Sequence, residues 1–431
     1  MTRRTSTSAA ETGQSTDVSH LLEFEKFPLK GLERNSTASD EELNSRYVKG
    51  ETRIVTEQAR YPLANILRML KEEITDESGV KERRYILDPE YQRRHRWNDE
   101  RKSRLIESFL MNVPVPPVFL YERDLARFEV MDGRQRLTAL SEFYENKFEL
   151  KGLQHWPELN GRRYSDLPSK IRDGIDRRYI SSIILLKETA SSPEQAATLK
   201  KIVFERLNSG GVKLSNQESR NAVYNGSFNG LCLVLSANPK FRKMWGIPDS
   251  TSLGNDADDV GENGDESTRS GLNLFEKMED VELVLRFFAY RKIYEFKKGL
   301  NNISELLDLF AVEANKFGKN ELEIYREMFE STVDFLWDTL AKGAFTSLAR
   351  ANTRPTKIIY DPIMFVSSGA DIKYSHDDLI KNKVKLRKKL EEMYKNNQNL
   401  FSGRSTNYTD TLKRNSVVKS TFDELIAEIK N

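Results

Sequence analysis

The chain has 431 residues, with 68 Lys and Arg against 66 Asp and Glu, for a formal net charge of +2. Charges that nearly cancel exclude a bulk polycation, so any nucleic-acid role must rest on local patches. A lone cysteine, Cys232, excludes an intrachain disulfide and a Cys-based zinc cluster.

The length predicts two or three domains. No apolar run reaches the ~18 residues of a membrane span. The leading MTRRTSTSAAETGQ lacks the apolar core of a secretory signal. With the reducing compartment that a single thiol suggests, this predicts a cytoplasmic protein without membrane contact. Residues 1–45 read as a flexible N-terminal tail, disordered over about the first 20. Cys232, inside LCLVL, reads as a small buried hydrophobe.

The first ordered element is expected at Arg53–Glu57, and a helix at Ala64–Ile74. Thr75–Glu82 is polar, contains Gly79 and reads as a loop. YILDPEYQRRHRW looks like a short extended piece running into a basic turn. Asn98–Met111 shows helical spacing, with Asn98 as N-cap and Arg101 at N3. The prolines of NVPVPPVFLYE stop that helix, and PVFLY reads as a strand. Phe128–Met131 is the next strand, and a helix from Gly133 to Glu145 follows.

Asn160–Asp176 reads as a loop and a short amphipathic helix, and SSIILLKE as a buried strand. Pro193, at the N1 position that proline favours, opens a helix that ends before the Asn208–Gly211 turn. Ser215 and Glu218 have capping-box spacing and open the next one. Residues 249–270 are acidic, Gly- and Ser-rich, and read as a disordered loop without the order of a calcium loop. From Leu272 onward the three- and four-residue apolar spacing predicts helices, including a basic one, NKVKLRKKLEEMY, whose charges form a solvated face.

VMDGRQRL poses a chemical question. Arg134 and Arg136 fall in the first turn of a helix, the wrong end of the macrodipole for cations. A Gly-containing strand-to-helix turn exposes backbone N–H groups and suits an anion, and two arginines there suit a phosphate chain. The other reading is that Asp132 is an ordinary N-cap and the arginines make surface ion pairs. On these eight residues both stand. A second cluster, EYQRRHRWNDERKSR, favours the anion: Arg93, Arg94, Arg96, Arg101, Lys102 and Arg104 interleave with Tyr91, His95 and Trp97, a mixture that holds phosphates and stacks on bases. The alternative there is a solvated basic turn. The third stretch, FERLNSGGVKLSNQE, is either a helix–turn–helix corner or a Gly loop closing over the same ligand, with Asn208 donating an amide hydrogen bond. The four histidines are scattered without H-x-x-x-H spacing, so no zinc site is expected.

In order, YQRRHRW, LIESFLMNVPVPPVFLYE, FEVMDGRQRLTALSEFY and FERLNSGGVKLSNQESRNAV resemble the GmrSD restriction-endonuclease N-terminal-domain family, which is characterised by D-G-Q-Q-R. The likeness covers about residues 50–230. It implies an α+β protein with a ParB/sulfiredoxin-like N-terminal α/β domain over 46–230. A connecting segment at 231–248, the acidic loop at 249–270 and a mainly α-helical C-terminal domain over 271–431 follow. It implies a nucleoside-triphosphate-binding and hydrolysing module (ATP, GTP or CTP, with Mg²⁺) in anti-phage defence against modified DNA. Asp132, Gly133, Gln135 and Arg136 match the motif, while Arg134 puts a cation where the family has an amide. Tyr91, Gln92, Arg93 and Trp97 match Y-Q-R-x-x-x-W, and Asn208, Gly211 and Glu218 match the later element.

On that likeness Asp132, Gln135 and Arg136 are the candidate catalytic residues. Tyr91, Gln92, Arg93, Trp97, Gly133, Arg134, Arg136, Asn208 and Gly211 would bind nucleotide, and Asp132 would hold Mg²⁺. Segments 93–104 and 381–389 are candidate DNA contacts. His376 lacks the company of an HNH centre, so a separate nuclease or effector subunit is expected, with homo-oligomerisation open. The alternatives are a DNA-sensing module with a non-hydrolysing nucleotide switch, favoured by Arg134, or a ParB-like nuclease.

Overall fold

The computed structural model describes residues 20–28, 39–49, 54–75, 79–87, 97–189, 193–207, 215–224, 226–248, 266–295, 303–350, 354–369, 372, 375–402 and 408–431. The chain is α+β and divides into two compact units. One comprises Arg34–Leu233 and Thr268–Glu282; the other comprises Met1–Glu33, Val234–Ser267 and Leu283–Asn431.

The first unit is built on a mixed sheet of five strands among the described residues. Its strands are β1 (Thr56–Pro62), β4 (Tyr85–Ile86), β5 (Val118–Asp124), β6 (Arg127–Asp132) and β7 (Tyr179–Leu185), in the order β1-β7-β5-β6-β4. A separate ribbon pairs β2 (Glu73–Thr75) with β3 (Lys81–Arg83). β5 and β6 form an antiparallel hairpin in which Tyr121 faces Glu129, and β5 runs parallel to β7. β1, mostly exposed, lies at one edge and ends on Pro62, where a missing N–H costs least.

The helices of this unit up to residue 223 among the described residues, in chain order, are α1 (Asp40–Lys49), α2 (Ile66–Lys71), α3 (Asp99–Leu110), α4 (Arg134–Tyr144), α5 (Ser169–Asp176), α6 (Pro193–Leu207) and α7 (Asn216–Val223). α2 to α5 pack one sheet face through Ile66, Ile106, Leu137, Leu140, Phe143 and Ile175 against Val118, Leu120, Val130 and Ile184. Side chains alternate along a strand, so Tyr121, Glu129 and Leu185 point the other way. There the α6 residue Lys200 reaches Glu129 at 2.8 Å and lies 4.5 Å from the Tyr121 ring centroid.

Local signals carried most of these elements. Asn98 caps α3 by accepting from Arg101 N at 3.0 Å. Ser215 and Glu218 close the expected capping box at the start of α7. SSIILLKE and PVFLY contribute β7 and β5. Cys232 is buried in the helix Ser227–Ser236, and burial pushes its thiol up.

Three expectations are corrected. The helix expected at Ala64–Ile74 spans only Ile66–Lys71, because Ile74 pairs into the β2–β3 ribbon that occupies most of the expected Thr75–Glu82 loop. The expected Arg53–Glu57 element starts at Thr56, extends to Pro62, and is preceded by α1. Ser39 opens α1 with a reciprocal bond pair to Glu42, an S-x-x-E signal present in the sequence. The third concerns the expected tail, 1–45. Its residues 20–28 are built into the second unit. There Glu25, fully buried, accepts two bonds from Arg291 at 2.6 and 2.9 Å and one from the Tyr325 hydroxyl at 2.8 Å. Residues 1–19 and most of the acidic loop, 249–265, lie outside the described residues.

The second unit is mainly helical, as its apolar spacing predicted. The long helix Lys319–Leu340 buries Tyr325, Phe329, Val333 and Leu336. Arg286 and Asp361 form a bidentate pair at 2.6 Å inside it. His376 stacks on Phe335 at 3.9 Å between ring centroids and bonds the Ser367 carbonyl. No helix among the described residues is long and apolar enough to cross a membrane.

Candidate phosphate site at a strand-to-helix junction

β6 ends at Asp132 and α4 begins at Arg134. The residue between them, Gly133, is the N-cap and holds φ at +92°, in the left-handed region. A Cβ there would lie 2.5 Å from Val118 Cγ1 and 2.9 Å from Arg136 Nη2. Glycine is thus required twice, by the backbone and by the space. Asp132 is therefore not the N-cap that one reading of the sequence made it.

Instead Asp132 closes a pair with Arg136, Nη2 to Oδ2 at 3.0 Å. The same Nη2 donates to the Pro117 carbonyl at 3.2 Å. The Arg136 side chain is 15% exposed. Its Nε is buried and has no hydrogen-bond partner among the described residues. A guanidinium is thus held at the positive end of a helix with one donor unspent, an arrangement that favours an anion. Arg134 and Gln135 occupy the same first turn, both half-buried.

Trp97, 38 residues upstream, donates its backbone N–H to Gln135 Oε1 at 3.3 Å. Its ring carries the Arg101 guanidinium at 5.0 Å from the centroid. The fold thus gathers Trp97, Asp132, Gly133, Arg134, Gln135 and Arg136. Tyr91, Gln92, Arg93, Asn208 and Gly211 lie outside the described residues. Glu218 acts as a capping residue, accepting the Ser215 N–H at 2.7 Å.

The candidate DNA segments divide by what already holds their charges. In α3, Lys102 is tied to Asp99 and Glu142 at 3.2 and 2.9 Å, while Arg101 and Arg104 face solvent. In the second unit, Lys389 pairs with Glu428 at 2.7 Å and Arg387 donates to the Thr339 carbonyl, while Lys385 and Lys388 remain exposed.

Sequence reasoning missed Pro117 and Val118 as walls of the junction, and Glu129 with Lys200 as the pair that fixes α6 behind it. The Asp132–Arg136 pair had a local signal, i,i+4 spacing of opposite charges. The others had none, because they join segments far apart in the chain.

This junction lies within a region that a family model recognises. Residues 71–225 match the model described as the GmrSD restriction endonuclease, N-terminal domain. The match takes in roughly a third of the chain and all the described motif residues, which bears out the resemblance read from the sequence. No curated protein and no solved structure matches the chain.

Proposed function

We propose that the chain is a component of a GmrSD-type restriction system that binds and hydrolyses a nucleoside triphosphate, acts on DNA, and works with a separate nuclease or effector. The observation that carries the reading is Arg136, a mostly buried cation on a helix N-terminus with an unspent Nε donor. Within a domain matched to that family, this suits a polyphosphate. The Gly133 turn supports the same reading, since a Cβ there would drive into Val118 and Arg136.

The guanidiniums of Arg134 and Arg136 and the first-turn N–H groups would hold the phosphates. Magnesium commonly takes one or two protein carboxylates plus nucleotide oxygens, a role open to Asp132. Bound there it would screen the phosphates' charge. The described residues hold no cluster of three His, Cys, Asp or Glu for a metal. His376 is stacked and bonded to backbone, which suits a packing role.

A second reading, a switch that binds without turnover, has its own support. One acceptor oxygen of each residue suited to orient water is already engaged within the protein, Asp132 Oδ2 with Arg136 and Gln135 Oε1 with the Trp97 N–H. Calorimetric titration of ATP, GTP and CTP with Mg²⁺ tests the site. Arg136→Ala should lose the binding; unchanged affinity would sink the assignment. Phosphate release stimulated by DNA then selects hydrolase over switch. Metal-dependent DNA cleavage by the purified chain alone would overturn the separate-nuclease part.

A further inference from the structure

The helical unit contains a cavity of about 230 Å³ whose lining includes Arg350, Arg354, Thr356, Tyr394, Gln398 and Phe401. Among the described lining residues the charged ones are two exposed arginines, with no carboxylate. Thr356 is the N-cap of the helix Lys357–Ser367, and its side chain makes no capping bond. The cavity therefore holds a helix N-terminus and a hydroxyl beside two guanidiniums, the donor set that recognises phosphate.

The lining also includes two aromatic rings. Tyr394 and Phe401 meet edge to face, with centroids 5.0 Å apart and planes at 88°. Tyr394 is 2% exposed, and burial without any side-chain hydrogen bond among the described residues is what acts on its hydroxyl. A buried phenol normally finds a partner. Here the unspent group belongs to a residue that lines the cavity, where a ligand oxygen can accept from it. Burial alone raises its pKa, so it stays a donor at neutral pH. A cavity of this size, just under the ~300 Å³ at which drug-sized sites begin, suits one ring with one phosphate.

We propose that this cavity binds a phosphate monoester carried on a small planar ring, the chemistry of a mononucleotide. The ligand is a free mononucleotide or the 5′-phosphorylated end of a DNA strand. The partly exposed Phe401 ring receives the base, the Tyr394 hydroxyl donates to a ligand oxygen, and Arg350 and Thr356 receive the phosphate. This site is independent of the junction at Gly133, and it stands whether or not a triphosphate binds there.

The test titrates the full chain with the four deoxynucleoside 5′-monophosphates, with inorganic phosphate, and with a short oligonucleotide with and without its 5′-phosphate. Saturable binding of a monophosphate is expected, stronger than that of inorganic phosphate. It should weaken about tenfold or more in Arg350→Ala, as for loss of a charged hydrogen bond. Tyr394→Phe, which keeps the ring and the fold, should weaken it severalfold. Arg136→Ala should leave it unchanged. Preference for the phosphorylated oligonucleotide over monophosphates supports the site with a strand end as its ligand; preference for the monophosphates supports it with the free nucleotide. Absence of saturable binding, equal binding of inorganic phosphate, indifference to both cavity variants, or loss in Arg136→Ala alone would each overturn the proposal.

Discussion

Replacing Gly133 with alanine puts a single methyl group where the junction has no room for it. The backbone sits at φ +92°, ψ 8°, and the new Cβ lies 2.5 Å from a side chain that is fully buried, Val118. The left-handed conformation costs a non-glycine residue about 1–2 kcal/mol. Overpacking a filled core adds about 1–3 kcal/mol. Gly133→Ala should therefore cost roughly 2–5 kcal/mol, a large share of the ~5–15 kcal/mol that holds a typical domain folded. Urea titration of the full chain, read by hydrogen exchange of the α4 amides from Leu137 to Phe143, reports on this unit alone. The steric share has its own signature. Val118→Ala removes the nearest clashing atom, Cγ1, and leaves the Cβ at 2.9 Å, so the double variant should be less destabilised than the sum of the singles by about 1 kcal/mol. A cost under ~0.5 kcal/mol for Gly133→Ala, or strict additivity, would refute the argument that the turn is fixed by glycine and by Val118.

Lys200→Met should destabilise the first unit by about 3–5 kcal/mol, because it leaves Glu129 buried without its partner, and adding Glu129→Gln should recover much of that in urea titration. The same reasoning applies to the helical unit, where Glu25→Ala strands Arg291 and should cost a similar ~3–5 kcal/mol. Tyr144 and Tyr164 both donate to Asp176 and are raised, chiefly by burial and then by that hydrogen bond, Tyr164 to about 12. The folded state then keeps phenolic protons that the unfolded chain releases near pH 10, so stability should hold below that pH and fall as pH rises from 10 through about 12. Tyr164→Phe should flatten part of that alkaline slope in thermal unfolding across pH 8–12, and an unchanged slope would count against the cluster.

Much of the local structure was legible because its causes are local. Asn98, Pro193, and Ser215 with Glu218 satisfy or avoid backbone groups within four residues, and each opened the helix expected of it. The same signal at Ser39 and Glu42 was present but masked by the polar company around it. The error at Ala64–Ile74 has a non-local cause. Ile74 fits a helix by spacing, but pairing with Glu82 across the Gly79 turn decides for a strand. Glu25 misled in another way. A charged residue in a polar leader reads as solvated, and only a guanidinium 266 residues further on makes its burial tolerable.

The sequence by itself determined the helix and strand starts, the α+β character, the family likeness of the first half, and the puzzle of two arginines at the positive end of a helix. Half of that puzzle's answer was local too, since Asp132 stands four residues before Arg136. Tertiary structure alone decided the rest. It put the Pro117 carbonyl and Val118 against the turn, brought Trp97 to Gln135, ordered the strands β1-β7-β5-β6-β4, and set Lys200 on Glu129 across 71 residues of chain. The physical reason is range. Capping and periodicity act within a turn or two and leave their mark on neighbouring letters. A buried charge or a filled cavity is set by whichever distant segment the core's packing brings to it, and no short stretch of letters records that.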